Sequence, residues 1–255
     1  MNTPHIAVII LHYKNLDHTR ECLQSVKNID YPLSTLPLGK RETQRGFSVI
    51  LVNNDKPYDG QILQKEFGDF ITLIQNKENL GFAEGNNVGI RAALADQKTD
   101  AIVLLNNDTI VDPNILREMT TTGADMVAPR MMQYHNRAEI DNLGIELMAS
   151  GLPFNRRSTK DKLFCPSGGA ALYTRKLLET IPPSFTKEGV RGWFDPLFYA
   201  YAEDLDLGFR ARLMGFKADY TPNAIVYHKG SAATTAMRDF AVYHTYRNLI
   251  WAQYK

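Results

Sequence analysis

Ala101-Ile-Val-Leu-Leu-Asn-Asn-Asp108 is a run of five apolar residues that breaks, without transition, into two amides and a carboxylate. A short continuous apolar run of this kind reads as a strand buried on both faces, as strands of a parallel sheet are. Upstream, apolar runs at 6–11, 48–52 and 71–74 alternate with helix-like stretches at 17–27, 60–67 and 84–95. Strands separated by helix-length patterns imply βαβ units, hence an α/β fold with a parallel sheet. Ligands bind such sheets beyond the carboxyl ends of the strands. The four runs are followed by His12-Tyr13, by Asn53-Asn54-Asp55, by Asn76-Lys77-Glu78-Asn79 and by Asn106-Asn107-Asp108. All four followers are polar, and all are expected on one rim.

From Asp125 the pattern becomes shorter and less regular, with turn chemistry at Pro129, Gly144, 151–153 and 165–169. Helical spacing returns at 203–214, where Leu205, Phe209 and Leu213 repeat at i, i+4 and i+8 and Gly215 follows as a stop. It returns again at 237–255. We read 1–255 as one domain with halves at 1–124 and 125–236 and a C-terminal helix at 237–255. The segment 33–45, rich in Pro, Gly and basic residues, reads as a surface loop.

Lys and Arg total 29 against 28 Asp and Glu, a formal net charge of +1, so no global field points to nucleic acid as partner. Cys22 and Cys165 lack metal-ligand spacing and suit reduced thiols in a cytoplasmic protein. No stretch has the length of a membrane span, which leaves a soluble chain that could still sit on a membrane surface.

Four segments carry chemistry. The carboxylate of Asp108 at a strand end can hold a divalent cation that neutralises a diphosphate, although an Asn-Asp pair also suits a simple turn. Gly81, Gly85 and Gly89 open a helix, where backbone N–H groups can approach a phosphate, or where glycine permits tight helix-to-strand packing. Their spacing is not G-x-G-x-x-G, which counts against a dinucleotide oxidoreductase. Glu203, Asp204 and Asp206 crowd one helix start; acids there commonly favour the macrodipole, but a desolvated one beside Trp193, Phe194, Phe198, Tyr199 and Tyr201 could serve as a general base. His228, at the end of a strand over 224–227, suits a further ligand for Mn²⁺, though a structural histidine is the commoner case.

Together these residues resemble the family 2 glycosyltransferases, of the inverting GT-A type, and in particular the bacterial branch with rhamnosyltransferases and galactofuranosyltransferases. The matching segments begin at Val8-Ile-Ile-Leu-His-Tyr, Glu78-Asn-Leu-Gly-Phe-Ala-Glu-Gly-Asn-Asn, Leu104-Leu-Asn-Asn-Asp-Thr, Ser167-Gly-Gly-Ala, Phe194-Asp-Pro-Leu-Phe-Tyr-Ala-Tyr-Ala-Glu-Asp and Val226-Tyr-His-Lys-Gly. They stand in family order across nearly the whole chain. The resemblance implies a GT-A fold, a Rossmann-like mostly parallel sheet flanked by helices, with a nucleotide-sugar half and an acceptor half. It implies that Asn106-Asn107-Asp108 replaces the family's D-x-D motif, with Asp108 and His228 holding Mn²⁺ or Mg²⁺. Asp204 is then the general base, with Glu203 beside it, and Asp206 a structural acid. The expected donor contacts are His12, Tyr13, Asn53, Asp55, Asn79, Gly81, Asn86, Asn106 and Asn107, with Asn53 where the family usually has a base-gripping Asp.

Trp193 and Tyr201 are expected to form an apolar platform for the acceptor sugar. The reaction so implied is a single inverting displacement from a nucleotide diphosphate sugar, on thymidine or uridine diphosphate and with rhamnose as the branch's example, to a hydroxyl of a glycan or lipid-linked acceptor in bacterial surface polysaccharide synthesis. Its place would be the cytoplasm, at the inner face of the membrane. The rival is a nucleotide-sugar-binding protein of the same fold without turnover, against which the presence of Asp108, Asp204 and His228 argues.

Overall fold

The computed structural model describes residues 3–32, 46–185, 189, 191–230 and 238–255; the loop expected at 33–45 lies outside them. The first half alternates as expected: β1 His5–His12, α1 Leu16–Lys27, β2 Phe47–Asn53, α2 Pro57–Phe67, β3 Thr72–Gln75, α3 Gly81–Ala95 and β4 Thr99–Asn106. A short β5 Thr109–Val111 and α4 Ile115–Thr120 follow. The second half brings β6 Met126–Gln133, β7 Ile140–Asn142, β8 Ile145–Leu147, β9 Pro153–Asn155, β10 Ala170–Thr174 and α5 Arg175–Thr180. Then come β11 Ser184–Phe185, β12 Arg191–Gly192, α6 Glu203–Leu213, β13 Ala218–His228 and α7 Arg238–Tyr254.

One sheet takes strands from both halves in the order β3-β2-β1-β4-β10-β6-β13-β5, with β7 on β6. It is a mostly parallel, curled sheet flanked by helices. β3, β2, β1 and β4 are parallel throughout, β6 and β13 share their direction, and β10, β5 and β7 run against it. Parallel strands must be covered on both faces, and the pleat sends alternate side chains to each. In β1, Ile6, Val8 and Ile10 join the core under α1, α2 and α4, while Ala7, Ile9 and Leu11 join the one under α3, α5 and α6. β4 divides likewise, Val103 and Leu105 against Ile102 and Leu104.

The register places the polar followers together, as expected: His12 lies opposite Asn53, Asn53 opposite Gln75, and Leu11 opposite Asn106. Two expectations change. The strand expected at 224–227 is the last part of an 11-residue strand whose register against β6 shifts between Thr221 and Ile225. In α6 the inward face is carried by Leu205, Gly208 and Ala211, and Leu213 is 85% exposed. The i+8 member therefore misses the core, because Gly208 seats the helix on Cys165: a Cβ there would lie 2.7 Å from Sγ. Both cysteines are buried and free. Among the described residues no helix is long and apolar enough to cross a membrane.

Candidate active site

A cleft of about 670 Å³ opens over the carboxyl ends of β1, β2 and β4. One wall includes Tyr13, Asn54, Asn79, Gly81, Asn106, Asn107 and Asp108; Asp141, Ser167, Gly168, Gly169 and His228 line it further on. The opposite side is the stretch from Tyr199 to Leu205, with Phe240, Thr245 and Leu249 of α7. Thus Tyr13, Asn79, Gly81, Asn106, Asn107, Asp108, Tyr201, Glu203, Asp204 and His228, far apart in sequence, face one space.

Asp108 sits in the turn between β4 and β5, held where the backbone of Asn106 donates to the Gly169 carbonyl (2.9 Å) and that of Lys229 to its own carbonyl (3.0 Å). Its Oδ2 lies 3.3 Å from Nε2 of His228. Burial opposes the charge on Asp108, but the hydrogen bond and charge of His228 outweigh it and keep the carboxyl below its ordinary pKa. Burial likewise opposes charge on His228, and hydrogen bonds to Asp108 and Asp141 override it, raising the imidazole to about 10. A carboxylate oxygen beside an imidazole nitrogen is a donor set that fits Mn²⁺ better than the all-oxygen preference of Mg²⁺.

Asp204 faces the cleft with both oxygens held: Oδ2 accepts from the N–H of Gly168 and Oδ1 from that of Leu205, each at 2.8 Å. Burial raises its pKa, while those two N–H groups favour the charged form. Glu203 is pushed well above its ordinary value, first by burial and then by the Asp204 charge, and its Oε2 has no hydrogen-bond partner among the described residues. Two adjacent carboxyls cannot both ionise cheaply, and the N–H groups at Asp204 favour the charge there over Glu203.

The approach to Asp204 is strained. Tyr199, Tyr201 and Ala202 have φ of 63°, 71° and 63°, values rare for residues other than glycine. Such a strap persists only where its surroundings dictate it. Nδ2 of the fully buried Asn248, on α7, donates to the carbonyls of Phe198, Ala200 and Tyr201 at 2.8, 2.7 and 2.7 Å. From the other side, the N–H groups of Phe82 and Ala83 both donate to the Tyr199 carbonyl, at 2.7 and 3.0 Å.

That second contact corrects the phosphate reading of the α3 start. The N–H groups of Gly81, Phe82 and Ala83 are all taken by protein acceptors, Gly81 N–H by Asn79 Oδ1 (2.9 Å). Gly85 and Gly89 follow the packing alternative: a Cβ would lie 2.7 Å from Leu11 Cδ1 and 2.5 Å from Ile9 Cγ2, respectively.

Five expected contacts do not line the cleft. Trp193 is buried in the core, its indole N–H donating to the Leu178 carbonyl (2.6 Å), whereas Tyr201 and Phe240 line the cleft. Asn86 is buried within α3 and donates to the Phe82 carbonyl (2.9 Å). Asn53 is buried and bonds Gln75 Oε1 (2.7 Å), while its neighbour Asn54 reaches the cleft. Asp55 spends both oxygens on the backbone N–H groups of Lys14 and Lys56, each at 2.8 Å. His12 is buried, with Nδ1 2.6 Å from Thr19 Oγ1.

His12, Asp55 and Asp59 nevertheless offer ligand atoms all within 4.8 Å of one another, a group that could hold a metal ion. Because Asn107 Nδ2 donates to Thr19 Oγ1 (2.9 Å), the hydroxyl is free to donate to His12 Nδ1, which places the ring proton on Nε2, the atom facing Asp59. A cation at either group would have to displace that proton; of the two, the Asp108–His228 pair lines the cleft and the His12 group does not.

A mostly parallel sheet with a polar rim over a cleft fits the GT-A fold, and the comparisons agree. The chain belongs to the glycosyltransferase-like family 2, whose model matches residues 4–247. No curated relative was matched by sequence. Among solved structures, it is similar to the mannosyltransferase PcManGT from Pyrobaculum calidifontis in complex with GDP-Man and Mn²⁺, with TM-score 0.61 and 17% identity over 95% of this chain and 62% of that one. It is also similar to TarS of S. aureus (0.60, 18%, 93% and 39%). A third similar structure is GalNAc-T7 with UDP, GalNAc and Mn²⁺ (0.64, 14%, 89% and 44%). At these identities the likeness is one of fold. The chain spans between 39% and 62% of the length of these structures.

Proposed function

We propose that this chain is an inverting, metal-dependent glycosyltransferase that moves a sugar from a nucleotide diphosphate donor to a hydroxyl of a glycan or lipid-linked acceptor. The observation that carries this is one cleft with Asp204, whose carboxyl accepts two backbone N–H bonds, on one side and the Asp108–His228 pair on the other. Asp204 takes the proton of the acceptor hydroxyl as it attacks the anomeric carbon, and the donor's diphosphate leaves from the opposite face. One base suffices for inversion, whereas a retaining glycosidase needs a second carboxylate as nucleophile. Gly168 N–H orients Asp204, Tyr201 and Phe240 exclude water, and Asn54, Asn79 and Asn107 offer amides to the donor. Asp108 and His228 would hold Mn²⁺, which supplies charge neutralisation to the departing diphosphate.

By branch resemblance, the donor is a thymidine or uridine diphosphate sugar, rhamnose included, and the setting is bacterial surface polysaccharide synthesis at the inner face of the membrane. The test is a screen of nucleotide sugars for melting-temperature increase and donor turnover, with and without Mn²⁺; a ligand bound by the folded state alone raises the melting point. Asp108→Ala is expected to remove the Mn²⁺-dependent part of nucleotide binding. Indifference of every nucleotide sugar to Mn²⁺ overturns the metal assignment. Donor binding with no transfer to or hydrolysis by any acceptor supports the binding-protein reading instead.

A further inference from the structure

We infer that Asp141 is a positioning residue that holds the His228 imidazole in the orientation and tautomer needed for its Nε2 to serve as a cation ligand beside Asp108. The inference rests on the reading of Asp108 and His228 as the cation pair. Nothing in the sequence marks Asp141, which lies in a region without clear periodicity.

The backbone around His228 is already fixed. His228 pairs with Thr109 across β13 and β5 and with Gln133 across β13 and β6, and its carbonyl accepts from Tyr134 N–H at 2.8 Å. What the backbone leaves free is rotation of the ring. Asp141 removes that freedom: its Oδ2 lies 2.8 Å from Nδ1, while Nε2 points to Asp108 Oδ2 at 3.3 Å. The Asp141 carboxylate keeps a proton on Nδ1, so Nε2 is the nitrogen that exchanges its own proton for a cation. Metal-bound histidines commonly donate their second N–H to a carboxylate in this way.

The local backbone is built for this contact. β7 pairs antiparallel with β6 through Met131↔Asn142 and Met132↔Ile140. One residue on β6 should advance one on β7, yet the pairing skips Asp141. It is therefore the extra residue of a bulge, a device that turns one side chain out of the regular alternation. The two carboxylates also lie on opposite edges of the imidazole. Asp108, His228 and Asp141 are not a set whose ligand atoms all lie within 4.8 Å, as those of His12, Asp55 and Asp59 do, which suits a supporting role for Asp141 rather than a third ligand.

The experiment titrates the folded protein with Mn²⁺ alone, reading free Mn²⁺ by electron paramagnetic resonance, for wild type and for the variants D141A, D141N, D108A and H228A. D141A is expected to weaken Mn²⁺ binding about 10–100-fold, the usual effect of losing such a partner. D141N, whose Oδ1 still accepts from Nδ1–H, is expected to bind more tightly than D141A. Loss of binding in D108A and H228A with none in D141A overturns the inference and leaves the cation pair standing. Unchanged binding in D108A and H228A, or none in wild type, overturns the cation pair itself. Loss in D141N equal to that in H228A makes Asp141 a ligand and also overturns the positioning role. A readout without any variant guards against misfolding: with Zn²⁺ in place of Mn²⁺, ¹⁵N shifts of His228 should report Nδ1 protonated and Nε2 coordinated, and the reverse assignment overturns the inference.

Discussion

At Asp204 the chemistry reduces to which of two neighbouring carboxyls is charged. The N–H groups of Gly168 and Leu205 favour the charge on Asp204, and burial favours a proton on Glu203. Asp204→Asn is therefore expected to lower kcat by about 10²–10⁴-fold with donor affinity nearly unchanged; steady-state kinetics and calorimetry check this, and a loss under about tenfold is too small for a general base. Glu203 leads to a different experiment. Its folded pKa is raised above the ordinary 4.5, so the folded state binds the extra proton, and the stability this contributes is lost as pH climbs from 4.5 through the folded pKa. Melting curves across that range should show wild type losing stability relative to Glu203→Gln. Parallel curves would mean that Glu203 titrates alike in both states.

The element that governs this pair is the strap from Phe198 to Ala202, with α3 on one side and α7 on the other. Replacing Asn248 by Ala removes the one donor that three strap carbonyls share, and buried polar groups left unpaired cost about 1–3 kcal/mol. Thermal unfolding should register that loss, and kcat should fall with it because the strap leads directly into α6. Trp193→Ala should act differently: about 3–5 kcal/mol of core stability lost and the acceptor's KM unmoved. A raised KM in a variant that stays folded would return Trp193 to the acceptor wall. The aromatic cluster before Glu203 was legible as a cluster, but which ring faces the cleft depends on the turns at Tyr199 and Tyr201, whose positive φ no propensity announces. The same strap explains why the start of α3 misleads as a phosphate site. Its open amides are a local property of the sequence, and the Tyr199 carbonyl that fills them arrives from far along the chain.

For the whole molecule, the strand-and-helix alternation of the first half could be read directly, since burial on both faces writes parallel strands as unbroken apolar runs. So could the rim, because a strand that leaves the core must change to polar residues at once. The second half was less legible: β10, β6 and β13 continue a sheet started by β4, and a short mixed strand carries no periodicity that tells it where to pair. Asp141 and Asn248 stayed hidden for the same reason, since each acts through partners on other elements. This topology predicts that residues 1–124 do not fold as a unit. β10 covers β4 through Ala170↔Leu105 to Thr174↔Ala101, and a fragment without it leaves a long apolar edge open to aggregation. Circular dichroism and size-exclusion chromatography of the fragment check this; a soluble, cooperatively melting 1–124 would contradict it.

The same strand order bears on how the protein is made. Synthesis proceeds at about 5–20 residues per second, so β4 emerges from the ribosome several seconds before β10 does. During that interval the nascent chain carries a half-built sheet with an unclaimed edge, and this is the stage at which chaperones, crowding and translation speed bear on the yield of folded protein.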